Sequence, residues 1–180
     1  ADEVLLLGYH ITGSYVLSWS MYIPNERGAY IELLHGENVP SAEPAALISF
    51  TPFPGDTVEC DVAGTTIKGV YPHNTWFTVT FGFDIDSHTA SFSVNNTLAG
   101  TWDFATMPSG DPAPNILGSV RFMAGTGWDG AIGEYYIDDV LFQEGTVGIS
   151  ELEAQRPFAI VPNPSAGETR FSLPAPVQQG

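Results

Sequence analysis

The sequence predicts an all-β domain, an antiparallel two-sheet β-sandwich of the jelly-roll kind. Three observations predict this class. Apolar and polar residues alternate with a period of two in many short segments, turn-forming residues separate these segments, and no convincing amphipathic helix is present. The 180 residues include 19 glycines and 14 prolines, whereas only 14% are charged. This composition is typical of a chain with many turns and few solvated helices.

Two segments show the alternation most clearly, and in each the apolar residues share one face. In the first segment these residues are Tyr15, Leu17, Trp19, Met21 and Ile23. In the second they are Phe77, Val79, Phe81, Phe83 and Ile85. After a turn, Ala90, Phe92 and Val94 continue the pattern, and Asn95-Asn96 then offers residues suited to the positive φ of a tight hairpin. The strand that contains Phe77 to Ile85 and the strand that contains Ala90 to Val94 are therefore predicted to be antiparallel neighbours.

Shorter segments predict the remaining strands. They cover 4–8, 30–34, 46–50, 57–60, 66–70, 98–102, 119–124 and 134–142. Turn-rich segments such as 24–28, 52–56 and 108–112 separate them. Short strands in this number, with turns between them, favour two packed antiparallel sheets around one core.

The composition changes near residue 145. The segment that follows contains Pro157, Pro162, Pro164, Pro174 and Pro176 and only short apolar runs. A segment this short does not bury a core by itself. We therefore predict a sandwich domain over 1–145 and, over 146–180, a linker with the truncated start of a further domain.

The charge balance excludes some functions and leaves others open. The chain has 21 acidic and 5 basic residues, a formal net charge of −16, and Lys68 is its only lysine. Nucleic acid is excluded as a partner because phosphate binding requires a basic surface. The acidity fits solubility in a salty habitat or, alternatively, binding of divalent cations. No apolar stretch is long enough to span a membrane, and the single cysteine, Cys60, is expected to be a small buried hydrophobe.

Three segments carry a resemblance to a known family. The matching residues lie at 13–18 with 21–24, at 71–77 leading into 83–86, and at 135–142, and the last of these segments contains Tyr135-Tyr136-Ile137-Asp138-Asp139-Val140. Taken in order, these segments resemble the concanavalin-like, laminin-G-like jelly-roll modules of secreted Bacteroidetes proteins. In many such modules an Asp of the Ile-Asp-Asp-Val stretch helps to hold a structural calcium ion. The resemblance thus makes Asp138 and Asp139 the candidate metal ligands, with calcium as the only cofactor expected. Carboxylates are the hard oxygen ligands that calcium prefers, although strand alternation would let only one of the two face a given ion.

The segment 149–180 carries a second resemblance. Val161-Pro162-Asn163-Pro164-Ser165-Ala166-Gly167, followed by Phe171 and Leu173, looks like the start of a type IX secretion C-terminal sorting domain. In that motif Pro162, Asn163, Pro164 and Gly167 are the characteristic residues. The resemblance implies that the type IX secretion machinery exports the protein and that it is secreted or displayed on the cell surface.

Catalytic motifs are absent from the sequence. It contains no Gly-x-Ser-x-Gly, no His-Glu-x-x-His and no phosphate-binding loop. Some related jelly rolls are glycoside hydrolases with a Glu-x-Asp-x-x-Glu strand. Here Glu59 and Asp61 match the first two acids, but Gly64 stands in the third position, so the catalytic pair is incomplete. We therefore expect that the protein is not an enzyme.

Aromatic residues are the candidate ligand contacts, because the C–H faces of sugar rings pack on aromatic planes. Trp19 and Trp76 are assigned to the core from their strand patterns. Trp102 and Trp128 lie beside loop-like segments and are the predicted ligand-binding residues. The favoured function is a non-catalytic accessory module that binds carbohydrate. The alternatives are a structural or protein-interaction domain of an extracellular assembly, with a cell-surface protein as its partner, and a degenerate glycoside hydrolase.

Overall fold

The computed structural model describes residues 2–38, 42–52, 55–123 and 132–145. The compact unit that contains them runs from Ala1 to Val147. The segment that resembles a sorting domain lies outside the described residues. The domain boundary therefore stays a prediction, and so does the sorting motif with its characteristic residues Pro162, Asn163, Pro164 and Gly167.

Twelve strands and no helix occur in the described part of the chain. The strands are β1 (Asp2–His10), β2 (Ser14–Tyr22), β3 (Arg27–Leu34), β4 (Pro44–Thr51), β5 (Thr57–Val62), β6 (Thr65–Val70), β7 (Trp76–Asp84), β8 (Thr89–Val94), β9 (Thr97–Asp103), β10 (Leu117–Met123), β11 (Ile132–Gly133) and β12 (Tyr136–Glu144). Every strand predicted from the alternation is present. The two-residue β11 was missed because it is too short to show a period. Over the same described ranges, no helix is long and apolar enough to cross a membrane.

The strands form two sheets. The larger sheet has the order β1-β10-β3-β4-β5-β6, with β11 joined to β3, and the smaller has the order β12-β2-β7-β8-β9. All pairings are antiparallel except the short one between β11 and β3. The predicted all-β, antiparallel two-sheet sandwich is confirmed.

Inward side chains of both sheets form one core, as the alternation predicts. Trp19 of β2 and Phe81 of β7 are fully buried and stack with ring centroids 5.8 Å apart. Phe81 also stacks on Phe92 of β8 at 4.9 Å. Cys60 is buried in the same core, and burial raises the pKa of its thiol. Truncating a core aromatic such as Phe81 to alanine typically costs about 3–5 kcal/mol.

The predicted hairpin at Asn95-Asn96 is also confirmed. These two residues have φ of 48° and 62° and join β8 to β9, whose pairing continues to Val94 and Thr97. Asparagine tolerates this left-handed region better than most residues, because its short amide hydrogen-bonds locally. The hairpin thereby sets the pairing of β8 with β9 next to the turn, as far as the irregularity between Phe92 and Ser93.

A close backbone approach holds the connection after β3 against β10. A Cβ atom at Gly118 would overlap the backbone of Gly36, so this position requires glycine. The Ser119 hydroxyl donates a hydrogen bond of 2.7 Å to the Gly36 carbonyl. Next to it, the His35 Nδ1 lies 3.1 Å from the Ile116 carbonyl oxygen, and since a carbonyl only accepts, Nδ1 carries the proton. Burial lowers the pKa of this His35 imidazole.

Candidate functional site

Three aromatic side chains lie side by side on the outward face of the smaller sheet. Tyr136 of β12 is paired with Tyr22 of β2, and Tyr22 is paired with Trp76 of β7. The ring centroids of Tyr22 and Trp76 are 5.7 Å apart, and those of Tyr22 and Tyr136 are 6.1 Å apart. Trp76 is 52% exposed and Tyr136 is 54% exposed, whereas Tyr22 between them is half-buried. We refer to Tyr136, Tyr22 and Trp76 as the aromatic row.

Strand alternation explains why these rings face outward. Met21, Phe77 and Ile137 adjoin the three aromatic residues in sequence and point into the core. Their neighbours in the chain must therefore point to the opposite side of the sheet. Because all three aromatic residues are in cross-strand register, they form a continuous row across β12, β2 and β7.

The connection that leads into Trp76 is anchored by Asn74. Asn74 has φ of 55°, and its Oδ1 accepts a hydrogen bond of 2.9 Å from the backbone N–H of Asn25. Its own backbone N–H donates to the Ile23 carbonyl at 2.9 Å. The connection is thus tied directly to the turn that follows Tyr22, which fixes Trp76 beside Tyr22.

His73 provides a second anchor for the same connection. Its side chain is only 7% exposed, and Nδ1 lies 2.8 Å from a carboxylate oxygen of Asp56. Nε2 lies 3.1 Å from the Tyr71 hydroxyl and 3.2 Å from the Arg27 carbonyl oxygen. These contacts join the connection to residues around β3 and β5, so the larger sheet also positions the start of β7.

A row of polar groups lies next to the aromatic row on the same face. It consists of Asp138, Ser20 and Thr78, which are in register across the same three strands. We refer to these three residues as the polar row. Asp139 joins it through a bulge in β12: this residue has φ of 52°, and the Ser20 hydroxyl donates to its Oδ2 at 3.4 Å. Hydrogen-bonding groups therefore follow the full length of the aromatic row.

The bulge corrects one expectation about the two aspartates. Regular alternation would send Asp138 and Asp139 to opposite faces, but β12 has an irregular register between Asp138 and Leu141. Asp138 lies opposite Ser20 in the register, and Asp139 contacts the side chain of the same serine. Both carboxylates thus lie on the outward face. In the described part of the chain, no group of three or more His, Cys, Asp or Glu residues is arranged to hold a metal ion, and calcium stays a prediction.

Two assignments of tryptophans are wrong. Trp102 is only 6% exposed and packs edge-on against Phe81 at 6.4 Å, because the alternation of β9 turns it inward. It therefore offers no exposed surface for stacking a sugar ring. Trp76, assigned to the core, is instead an exposed member of the aromatic row. Trp128 lies outside the described residues, and its role stays a prediction.

The positions of Tyr22 and Trp76 within their strands are the sequence signal for the aromatic row. Tyr22 falls on the polar side of the clearest alternating strand, opposite Met21 and Ile23. Trp76 immediately precedes Phe77, whose side chain faces the core, so the alternation places the side chain of Trp76 on the outward face. Aromatic residues on a polar face are candidates for exposure, but the pairing that brings these rings together was not readable without the register.

On the outward face of the larger sheet, charged side chains form ion pairs with one another. Arg121 contacts Glu32, with the two side chains only 22% and 18% exposed. Lys68 contacts Glu59, and Thr66 donates a hydrogen bond of 2.6 Å to Asp61. Glu59 and Asp61, the two acids of the hydrolase-like strand, are thus held by cross-strand neighbours.

A groove with a volume of about 730 Å³ lies between the edge strands β6 and β9. Val70 and Leu98, which are 75% and 60% exposed, are among its lining residues. The lining is mainly apolar and includes one charged residue, Lys68, which is paired with Glu59. The aromatic row, with its adjacent polar row, remains the arrangement best suited to a specific ligand.

Comparison with known proteins identifies the fold. No protein-family model matches the chain, and no curated protein does. Among solved structures, the galectin LEC-6 of Caenorhabditis elegans matches with a TM-score of 0.52 and 9% identity, over 80% of this chain and 90% of that one. Congerin II bound to lactose and MES matches with a TM-score of 0.51 and 12% identity, over 79% of this chain and 100% of that one.

The match extends to part of a larger enzyme. The sialidase of Trypanosoma rangeli matches with a TM-score of 0.52 and 11% identity, over 76% of this chain but only 21% of the sialidase. The fold is a concanavalin-like jelly roll. At these identities the likeness establishes the architecture and leaves the ligand to be argued from the residues.

Proposed function

We propose that this domain is a non-catalytic carbohydrate-binding module of an exported cell-surface protein. The observation that carries the proposal is the aromatic row, in which Tyr136, Tyr22 and Trp76 present neighbouring rings on the outward face of one sheet. Aromatic rings stack on the apolar C–H faces of sugars, and such contacts provide much of the affinity of sugar sites.

The spacing of the row favours an extended glycan over a single sugar. Its rings are 5.7 Å and 6.1 Å apart across three adjacent strands. Neighbouring rings are inclined to one another by 50° and 62°, so successive sugar residues of a chain lying across the strands would meet successive rings only where the glycan twists along its length. The polar row runs parallel to this path, two residues away along each strand, or about 7 Å. Ser20, Thr78 and Asp138 could then bond the hydroxyl groups along one edge of the glycan.

The structural matches support this proposal through architecture. The same sandwich occurs in a galectin, in a congerin bound to lactose and in part of a sialidase. The non-catalytic part of the proposal is supported by the hydrolase-like strand, where Glu59 is paired with Lys68 and Gly64 replaces the third acid. Export to the cell surface is proposed from the sorting-domain resemblance of 149–180 alone.

The test is binding to a panel of soluble polysaccharides by affinity electrophoresis, followed by calorimetry with oligosaccharides. The variant Trp76→Ala/Tyr136→Ala removes the two exposed rings of the aromatic row. Its control, Tyr9→Ala/Val70→Ala, removes two exposed apolar side chains that are 65% and 75% accessible and lie on other strands. We expect the first variant to lose binding and the control to keep it. Failure of the unmodified protein to bind any glycan in a broad panel would refute the proposal.

A second candidate function is protein assembly through an edge strand. The strand β1 lies at the edge of the larger sheet, and Leu6, Tyr9 and Ile11, on it or just after it, are 58%, 65% and 56% exposed. Exposed apolar edge strands readily pair with another extended segment. Sedimentation at increasing concentration tests this alternative, because Leu6→Lys should abolish any self-association while leaving glycan binding unchanged.

A further inference from the structure

We propose that the aromatic row selects glycans that carry protonated amino groups over neutral and anionic glycans. This inference rests on the proposed function and specifies its ligand class. It follows from the charges that surround the row and from the electrostatics of the rings themselves.

The first step is the position of the two carboxylates. Asp138 lies opposite Ser20 in the register, and Asp139 is turned onto the same face by its positive φ of 52° and contacts Ser20. Ser20 is two residues from Tyr22, and Asp138 is two residues from Tyr136. A sugar ring stacked on Tyr22 or Tyr136 would therefore have one edge within reach of both carboxylates, because two residues along a strand span about 7 Å.

The second step is that these carboxylates lack a counter-charge from the described part of the chain. The lysine and arginine residues there are Arg27, Lys68 and Arg121. Each forms an ion pair with a glutamate: Arg27 with Glu134, Lys68 with Glu59, and Arg121 with Glu32. No ion pair among the described residues includes Asp138 or Asp139. A ligand ammonium group would supply the missing positive charge.

The third step concerns the rings and the whole chain. The faces of tyrosine and tryptophan rings carry partial negative charge and attract cations, so Tyr22, Trp76 and Tyr136 also favour an ammonium group. The net charge of −16 adds a long-range attraction for cationic chains and a repulsion of anionic ones. The aromatic rings, the neighbouring carboxylates and the net charge of the chain thus all favour a positively charged ligand.

The experiment uses two hexasaccharides with the same β-1,4-linked backbone. One is the glucosamine hexamer, and the other is its fully N-acetylated form, in which the amines carry no charge. Binding is measured by calorimetry at low salt and at a mildly acidic pH, where the amines are protonated and circular dichroism shows the protein to be folded. We expect the amine form to bind about five- to thirty-fold more tightly. We expect this advantage to shrink in about 1 M salt, where charges are screened within about 3 Å.

The variant Asp138→Asn/Asp139→Asn should abolish most of the advantage, measured as the ratio of the affinities of the two hexamers for the same variant. Its control, Glu3→Gln/Glu37→Gln, removes the same number of charges at exposed positions outside the smaller sheet, and should keep the advantage. Equal binding of both hexamers to the unmodified protein would overturn the inference and leave carbohydrate binding intact. An advantage equal in the two variants would overturn the role of the aspartates, and binding of no glycan in the broad panel would overturn both proposals.

Discussion

Replacing Trp76 by alanine tests how much one ring of the aromatic row contributes to glycan affinity. Trp76 is 52% exposed, so about 100–130 Å² of its surface is accessible in the free protein. A sugar ring on one face would cover about half of that area, roughly 60 Å². At about 25 cal/mol per Å² this burial contributes about 1.5 kcal/mol, and ring-specific contacts add about 0.5 kcal/mol. Loss of about 2 kcal/mol weakens binding about 30-fold.

The assay is isothermal titration with the tightest-binding oligosaccharide from the panel. Trp76→Phe keeps a ring in the row and should weaken binding by less than about fivefold. Tyr9→Ala removes an exposed ring on β1 and should leave affinity unchanged. Unfolding in urea should show that all three variants are folded, since none of these side chains is buried in the core. An affinity for Trp76→Ala within about twofold of the unmodified protein would refute the reasoning.

The remaining predictions concern stability and calcium. Gly118→Ala forces a methyl group against the Gly36 backbone and should cost about 3 kcal/mol, which lowers Tm by roughly 10 °C; a calorimetric shift below about 3 °C would contradict it. Burial lowers the pKa of His35 from its ordinary 6.5, so at pH below about 6.5 the unfolded chain binds more protons than the folded protein. The free energy of unfolding should therefore fall as the pH is lowered through this region. His35→Asn keeps a donor for the Ile116 carbonyl and should weaken the dependence of the unfolding free energy on pH, measured by urea titration at several pH values. An unchanged dependence in this variant would show that the buried imidazole is not its cause. If Asp138 and Asp139 hold calcium, titration should release heat and raise Tm, and Asp139→Asn should remove both effects; no heat, together with no change of Tm on chelation, would reject the site.

Much of the fold was predictable because the alternation is strong and local. Leu17, Trp19 and Met21 are buried where the period of two places them, and Phe81 and Phe92 are cross-strand partners in the antiparallel pair formed by β7 and β8. The bulge at Asp139 was not predictable, because the same sequence letters fit a regular strand. This one irregular residue places the carboxylate of Asp139 on the same face of the sheet as the carboxylate of Asp138.

The candidate site was predicted less well, for a reason that Trp102 and Trp76 illustrate. Both residues lie near the end of a strand, where proximity to a loop suggested exposure for Trp102 and a neighbouring run of apolar residues suggested burial for Trp76. Whether a residue in a strand faces the core or the solvent depends on its place in the alternation. The structure accordingly shows Trp102 buried and Trp76 exposed, the reverse of both assignments.

By itself, the sequence determined that this chain forms short strands with one apolar face each, joined by turns, and that the protein is strongly acidic. These properties depend on residues close together in the chain, whose backbone preferences and side-chain directions act locally. Only the tertiary structure decided that Tyr136, Tyr22 and Trp76 form a row with two aspartates beside it. Their alignment depends on the registers of β12 against β2 and of β2 against β7, which join residues separated by more than fifty positions in the chain.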